Sequence, residues 1–181
     1  MNNLGQITGT AWNAEGVLIA VVWNPLPGAS RWAIMQLPVP LDYPHAQPGD
    51  INNKGEIVGL VASPGLAVIL PALWQPGSPL GNTWNLTVLP TLAHGLEGSG
   101  VADSINDLGD IVGGSFAANW RWLATRWSTN DPSFVQRLDL GESAGEWSEA
   151  LRVNNNGIAA GWYGNNKVLM NMTAVSYTHL T

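Results

Sequence analysis

The sequence predicts an all-β fold made of four successive antiparallel units, and three observations support this prediction. A ten-residue string occurs four times: MNNLGQITGT at residues 1–10, INNKGEIVGL at 51–60, INDLGDIVGG at 105–114 and VNNNGIAAGW at 153–162. A tryptophan recurs in step with this string, at Trp23, Trp74 and Trp127. Short runs rich in Val, Ile and Trp are interrupted by Gly and Pro about every ten residues, which favours strands over helices.

Within each unit we expect four short strands. The first is the shortest, at residues 50–52 and 102–106, and the Asn-rich string after it predicts a tight turn, because Asn and Gly tolerate left-handed backbone angles. A glycine-rich strand, a strand that ends in Trp and an outer strand come next. The residues expected to build the turns are Asn52, Gly55, Asn106, Gly109, Asn154 and Gly157.

Four antiparallel strands per unit of about 50 residues are typical of a β-propeller blade. We expect one repeat domain over residues 1–174, with blades at about 1–40, 49–92 and 102–141 and a partial blade at 150–174. About three and a half blades are fewer than propellers use to close, so the chain is expected to be a segment of a larger ring. The alternative is a linear β-solenoid or stacked-sheet array.

The composition excludes several classes of partner. The 181 residues carry a formal net charge of −6, with only seven Lys and Arg, which argues against nucleic acid and anionic membranes. The absence of cysteine excludes disulfides, cysteine metal sites and thiol nucleophiles. No apolar stretch is long enough for a transmembrane helix, so no membrane insertion is expected.

The two ends of the chain depart from the repeat. The first residues contain no signal peptide, and we expect that one is missing through truncation, because the chain begins inside a repeat. The last residues, VSYTHLT at 175–181, match no other copy and resemble a translated sequencing adapter. Residues 175–181 are therefore expected to be a non-native tail, and no functional role is assigned to them.

The repeated strings INNKGEIVG and INDLGDIVG, each followed by an apolar strand that ends in Trp, resemble the HAF repeat. The resemblance extends over nearly all of residues 1–174. This chain has VVW, PALW and ATRW where the family has His-Ala-Phe before Leu-Trp, and its fourth string, VNNNGIAAG, departs further. The resemblance implies a bacterial-type, secreted or cell-surface protein with a β-propeller-like repeat, and it implies no defined catalytic activity.

The sequence offers little support for a metal site, a cofactor or catalysis. Oxygens of Asn52, Asn53, Asn106, Asp107 and Asp110 are of the kind that calcium binds, but the order of a calcium loop is missing, so hairpin turns are the preferred interpretation. Nucleophile-elbow and phosphate-binding motifs are also missing. We expect no metal and no cofactor. Inner-strand carboxylates that could serve an enzyme are limited to Asp50 and Asp103.

The ten tryptophans suggest two roles. Trp23, Trp74 and Trp127 are expected in the core between units, because they keep the period of the repeat. Trp32, Trp84, Trp120 and Trp147 are irregular or fall in predicted loops. Exposed rings of this kind can stack on the apolar faces of sugars.

The long loops between units are the expected binding face, because they vary from copy to copy on a repeated scaffold. The candidate ligand-binding residues are Asp42, His45, His94, Glu97, Glu146 and Trp147. The function expected is that of a non-catalytic extracellular repeat domain for adhesion, matrix or glycan contact, with a surface glycan or another extracellular protein as partner. The alternative is a fragment of a secreted propeller glycoside hydrolase or lyase.

Overall fold

The computed structural model describes residues 1–26, 28, 31–77, 83–93, 98–138, 146–165 and 173–177, the last segment by its backbone alone. In these residues the strands form four antiparallel sheets that follow one another along the chain. The first sheet contains β1 (Ile7–Trp12), β2 (Leu18–Pro25) and β3 (Trp32–Gln36). The second contains β4 (His45–Ile51), β5 (Ile57–Ala62), β6 (Ile69–Pro76) and β7 (Trp84–Val88). The third contains β8 (Gly100–Ile105), β9 (Asp110–Phe116), β10 (Trp122–Ser128) and β11 (Gln136–Arg137). The fourth contains β12 (Glu146–Val153), β13 (Ala159–Asn165) and β14 (Thr173–Tyr177).

Each sheet is a meander in which neighbouring strands are joined in chain order. The described residues contain one 3₁₀ turn, Pro64–Leu66, and no α-helix. The predicted all-β array of antiparallel sheets is therefore confirmed. No helix in this part of the chain is long and apolar enough to cross a membrane.

The first strand of a unit is longer than the sequence predicted. Strands β4, β8 and β12 begin at His45, Gly100 and Glu146, which is five, two and four residues before the expected starts at 50, 102 and 150. Each continues through a β-bulge, whose extra residue is Gly49, Asp103 or Leu151. The bulge interrupts the alternation of buried and exposed residues, and this is why the predicted strands of 50–52 and 102–106 were too short.

The expected tail is only partly separate from the repeat. Strand β14 pairs with β13, and its residues Val175, Ser176 and Tyr177 lie opposite Gly161, Ala160 and Ala159. Tyr177 thereby takes the register position that the recurring tryptophan takes in the first three sheets.

The core lies between the sheets. Alternate residues of one strand face opposite neighbours: Ile57 packs in a cluster with the first sheet, and Val58 packs in a cluster with the third. A third cluster joins Val112 and Ala124 to Ala150 and Ala159 of the fourth sheet. Each sheet except the terminal ones is thus buried on both faces, so β5 and β9 read as nearly continuous apolar runs.

The second glycine of the repeated string makes room for the bulge. Gly59, Gly113 and Gly161 lie against the carbonyls of Gln47, Val101 and Glu149 on the neighbouring inner strands, and a Cβ at each would collide with that carbonyl. The string therefore requires glycine at this position for a close backbone approach.

Candidate functional site

The sheets present two different ends. The turn end carries the four repeated turns, at residues 2–6, 52–56, 106–110 and 154–158. The loop end, opposite to it, carries the connections between sheets and the hairpins after β1, β5 and β9.

The four repeated turns have one geometry. Their glycines, Gly5, Gly55, Gly109 and Gly157, have φ angles of 75°, 78°, 91° and 72°, a region that other residues rarely adopt. The side chain of the first Asn closes each turn. In the second turn, Asn52 Oδ1 accepts the backbone N–H groups of Lys54 and Glu56, both at 3.0 Å.

The same asparagines also join each turn to the next. The Nδ2 groups of Asn2, Asn52 and Asn106 donate to the carbonyls of Asn52, Asn106 and Asn154, at 2.9, 3.0 and 2.9 Å. In a second row, the backbone N–H groups of Asn3, Asn53 and Asp107 donate to Oδ1 of Asn53, Asp107 and Asn155, each at 2.8 Å. We name these two rows the asparagine ladder. The string is repeated because every turn must bond to a copy of itself.

Side-chain oxygens that the sequence offered as calcium ligands accept hydrogen bonds within the asparagine ladder. The carboxylate of Asp107 accepts the backbone and side-chain N–H groups of Asn53 and the Nδ2 group of Asn155. Hydrogen bonds from the Asn53 backbone and from Asn155 hold the pKa of Asp107 below its ordinary value. In the part of the chain that the structure describes, no three His, Cys, Asp or Glu residues are grouped to hold a metal.

The recurring tryptophans differ in burial. Trp74 and Trp127 have no exposed surface, and their Nε1 groups donate to the carbonyls of Pro38 and Pro90 at 2.8 and 2.6 Å, so each ring fills the space against the preceding sheet. Trp23 is only half-buried. It lies on the outer face of the first sheet, where the described residues place no further sheet.

Trp32 and Trp84, which were considered for sugar binding, instead contact the repeated turns. Trp32 and Trp84 are not irregular, because each begins the outer strand of its sheet at an equivalent register position. Their Nε1 groups donate to the carbonyls of the turn glycines Gly5 and Gly55 at 3.3 and 3.2 Å. These rings therefore support the turn end.

The predicted loop-face residues do not converge into one site. Asp42 is exposed in a turn after β3, whereas His45, expected in a loop, is the half-buried first residue of β4. His94 and Glu97 lie outside the described residues. Glu146 is the first residue of β12, and Trp147 follows it. Of the six candidates, Trp147 is the one that the structure brings together with other aromatic rings.

These rings form an aromatic cluster at the loop end, between the third and fourth sheets. The cluster consists of Phe116, Trp120, Trp122 and Trp147. The ring centroid of Phe116 lies 6.2 Å from that of Trp120, 5.1 Å from that of Trp122 and 6.3 Å from that of Trp147, in edge-to-face arrangements. A Cβ at Gly114 would collide with the Trp122 ring, so this glycine makes room for it.

Trp120 is the exposed member of the cluster. It lies in the hairpin between β9 and β10, and 68% of its surface is accessible. Its φ angle is 59°. In the corresponding hairpins this position is Gly16 in the first sheet, with a φ of 73°, and Leu66 in the second, with a φ of 60°, and both make the same hydrogen bond to the carbonyl three residues earlier. A bulky residue in this left-handed region is strained by roughly 1–2 kcal/mol.

The carboxylate of Glu149 holds one ring of the cluster in place by a hydrogen bond. Glu149 on β12 accepts the indole N–H of Trp122 through Oε1 at 3.1 Å and that of Trp162 through Oε2 at 3.0 Å. The two bonds fix the orientation of the Trp122 ring, which in turn packs on Phe116.

A second carboxyl group, that of Asp103, has one oxygen without a hydrogen-bond partner. Oδ2 of Asp103 is buried, and it has no hydrogen-bond partner among the described residues. The pKa of Asp103 is raised to about 7, first by burial and then by the charge of Glu149, while the charge of Arg152 lowers it. Asp103 is the extra residue of the bulge, where the other sheets have Gly49 and Leu151.

Sequence reasoning missed Phe116, Trp122 and Glu149 as members of this site. A signal was present in the string FAANWRW at residues 116–122, which places three aromatic residues in a hairpin that lacks the usual glycine. No local sequence pattern indicated the hydrogen bond between Trp122 and Glu149, which lie 27 residues apart.

Comparisons with known proteins identify no relative of this chain: no family model, no curated protein and no solved structure matches it.

Proposed function

We propose that the chain is a non-catalytic extracellular repeat domain of β-propeller-like architecture, related to the HAF repeat, that binds a glycan at its loop end. The aromatic cluster is the proposed binding surface. The partner is a surface or matrix polysaccharide, which matches an acidic protein with few basic residues.

The exposed and strained Trp120 carries this proposal. The left-handed turn position is Gly16 in the first sheet and Leu66 in the second, and here it holds a tryptophan, which costs strain that glycine would avoid. Strain that the fold does not require is a feature of functional sites. The Trp120 ring is 68% exposed and meets Phe116 in an edge-to-face arrangement, so most of its surface is available to a sugar ring.

The surroundings of Trp120 supply rigidity and polar groups. Phe116 is fixed at both backbone groups, since its N–H donates to the Ser99 carbonyl at 2.8 Å and its carbonyl accepts the Ala93 N–H at 2.9 Å. Glu149 fixes Trp122 from the opposite side. Preorganised rings lose little conformational entropy when a ligand binds, which favours affinity.

The propeller-like arrangement is supported by how the inner strands pack. Strands β4, β8 and β12 contact one another in order, and each also contacts the preceding sheet. Inner strands that gather along one line while the outer strands diverge are what a central axis requires.

One observation favours the second candidate function, a secreted glycoside hydrolase or lyase. The pKa of Asp103 is raised to about 7, mainly by burial and also by the charge of Glu149. Glycosidases use a pair of carboxyl groups of this kind. Both oxygens of Glu149 accept indole N–H groups, however, which leaves this carboxylate in a poor position to attack a sugar. Glycan binding without turnover is therefore preferred.

The proposal is tested on immobilised β-glucans, chito-oligosaccharides and galactans, with the Trp120→Gly and Trp12→Ala variants. Trp12 is the matched control, because it is 72% exposed at the loop end of the first sheet and lies outside the cluster. We expect Trp120→Gly to weaken binding at least tenfold and Trp12→Ala to leave it unchanged.

Equal binding by wild type and Trp120→Gly would reject the cluster as the site. Release of reducing sugar by the wild type but not by Asp103→Asn would replace the binding function by the hydrolase.

A further inference from the structure

We propose that the glycan site at the loop end is extended, and that it binds an internal stretch of a linear, neutral polysaccharide lying across the second, third and fourth sheets. This inference rests on the proposed function and adds the class of glycan to it. The apolar residues that would contact the polysaccharide are Leu66, Trp120 and Trp147, one in each of these sheets. We name these three residues the loop-end row.

Leu66 and Trp120 occupy the same position in successive hairpins. The backbone N–H of Leu66 donates to the Ser63 carbonyl and that of Trp120 to the Ala117 carbonyl, both at 2.9 Å. Their φ angles are 60° and 59°, and 59% and 68% of their surfaces are exposed. Two neighbouring hairpins thus each hold an exposed apolar side chain in a strained conformation, which Gly16 of the first sheet adopts without strain. Strain of this kind is a feature of functional sites.

One residue, Ser99, holds these two hairpins side by side. Its Oγ accepts the N–H of Ile69, the first residue of β6, at 3.3 Å, and its carbonyl accepts the N–H of Phe116, the last residue of β9, at 2.8 Å. Leu66 lies three residues before Ile69, and Trp120 lies four residues after Phe116. The two exposed side chains therefore stand on neighbouring hairpins whose bases are both bonded to Ser99.

Trp147 continues the row to the fourth sheet. Its ring centroid lies 6.3 Å from that of Phe116, which also meets the Trp120 ring. Packed sheets are about 10 Å apart, so a row over three sheets is longer than one sugar ring. A ligand that contacts the whole row must have several sugar units, and contacts along its length require no chain end.

The charge of the protein determines which polysaccharides are suitable. The chain has 13 Asp and Glu against seven Lys and Arg, so it repels chains that carry carboxylates or sulfates. The three members of the row are apolar side chains, which suit the C–H faces of neutral sugars. The site is therefore fitted to a neutral chain.

The test measures how affinity depends on ligand length, by titration calorimetry with cellobiose, cellohexaose, chitobiose and chitohexaose. We expect the wild type to bind a hexamer at least tenfold more tightly than the matching dimer, and not to bind the acidic hexamer of galacturonate. Leu66→Ala should remove most of the preference for the hexamer and leave the affinity for the dimer unchanged, because the dimer contacts Trp120 but does not reach Leu66. Trp120→Gly should weaken both.

Leu108→Ala is the matched control. Leu108 is 58% exposed, almost as much as Leu66, but it lies in a repeated turn at the opposite end of the sheets. This variant should keep the preference for the hexamer. Leu66→Ala keeps a Cβ at the left-handed position, so backbone strain is the same in both proteins compared, and thermal unfolding checks that the variants are folded.

The outcomes separate this inference from the proposed function. A preference for the hexamer that survives in Leu66→Ala, or equal affinity of the wild type for dimer and hexamer, would overturn the extended site and leave glycan binding at Trp120 standing. Tight binding of the galacturonate hexamer would overturn the neutral class. A wild-type dimer that Leu66→Ala dissociates would make a second copy the occupant of the row. Failure of the wild type to bind any of these sugars or the immobilised glycans would overturn both proposals.

Discussion

The turn end and the aromatic region differ in whether their residues and contacts recur from sheet to sheet. At the turn end, four copies of one turn use glycine wherever φ is positive, and their asparagines bond both within and between turns. In the aromatic region, which we define as the aromatic cluster with Glu149 and Asp103, Trp120 has a φ of 59° and Asp103 has an unpaired buried oxygen. These residue types do not recur from sheet to sheet, although Leu66 takes the backbone conformation of Trp120 in the second sheet.

This difference separates residues that build the array from residues that can serve a ligand. Each contact between neighbouring sheets repeats the contact between the preceding pair, so a residue that makes this contact must recur in every sheet. The tryptophan at position 120 and the carboxyl at position 103 do not recur and add nothing to the array, so a role outside folding is the better explanation for them. Substitutions at the two regions should therefore change stability in opposite directions.

The largest effect is expected at Trp74, near the turn end. Trp74→Ala should lower the free energy of unfolding by about 3–5 kcal/mol, because the ring is completely buried against the preceding sheet. Trp23→Ala, at the equivalent but half-buried position, should cost less than about 2 kcal/mol. Denaturant midpoints measure both. Equal losses would show that the open face of the first sheet is covered in solution.

The ladder is tested by comparing Asn52→Ala with Asn154→Ala. Both remove the bonds that close a turn, but only Asn52 also donates to the next turn, at the Asn106 carbonyl. We expect a loss of about 2–3 kcal/mol for Asn52→Ala, which is buried, and about 1 kcal/mol for Asn154→Ala, which is exposed. Thermal and denaturant unfolding give the two values. If they are equal, the bonds between turns contribute nothing.

In the aromatic region, Asp103→Asn should stabilise the protein in a pH-dependent way. The folded-state pKa of Asp103 is raised from 3.8 to about 7, so its contribution is fully present below pH 3.8 and is lost as the pH rises through 7. Asn mimics the protonated form at every pH. The variant should gain about 1–2 kcal/mol over wild type above pH 7, after allowance for partial solvent screening.

The measurement is the difference in unfolding free energy between Asp103→Asn and wild type from pH 4 to pH 8. This difference should grow over that range and then level off. A constant difference would mean that Asp103 is ionised in the folded protein at all these pH values, and the contrast between the two regions would lose one of its two supports.

The smallest effect is expected at Trp120. Trp120→Gly removes the left-handed strain and should raise stability by up to about 1 kcal/mol, even as it weakens glycan binding. The matched variant is Gly16→Ala, where a Cβ meets no atom within 4 Å and the cost of about 1 kcal/mol is conformational alone. A clear loss of stability in Trp120→Gly would instead make this ring a packing anchor.

Much of the turn end could be predicted from the sequence, and little of the aromatic region could. The turns at Gly55 and Gly109 follow from local preferences of Asn and Gly, and the repeat showed that they recur. The ring of Trp147 was identified, but Phe116 and Glu149 were not. Phe116 becomes the register partner of Trp122 when β9 and β10 pair, whereas Glu149 becomes its neighbour only when the third and fourth sheets pack together.

The positions of Trp32 and Trp84 were predicted wrongly for a related reason. Trp32 and Trp84 are 52 residues apart, which is close to the period of the repeat, but different loops precede them, so they seemed irregular. Only strand pairing shows that each ring lies beside a turn glycine, 27 and 29 residues earlier in the chain.

By itself, the sequence determined the all-β class, the period, the four turns and the strand order within a unit. These features rest on backbone preferences and on the alternation of side chains, which neighbouring residues encode. The tertiary structure alone decided that the asparagines bond from turn to turn, that a bulge leaves Asp103 unpaired and that three rings surround Phe116. The bonds between turns and the ring contact of Trp147 join different sheets, whereas strand register decides the other ring contacts and the bulge. Neither sheet packing nor strand register is specified by a local pattern.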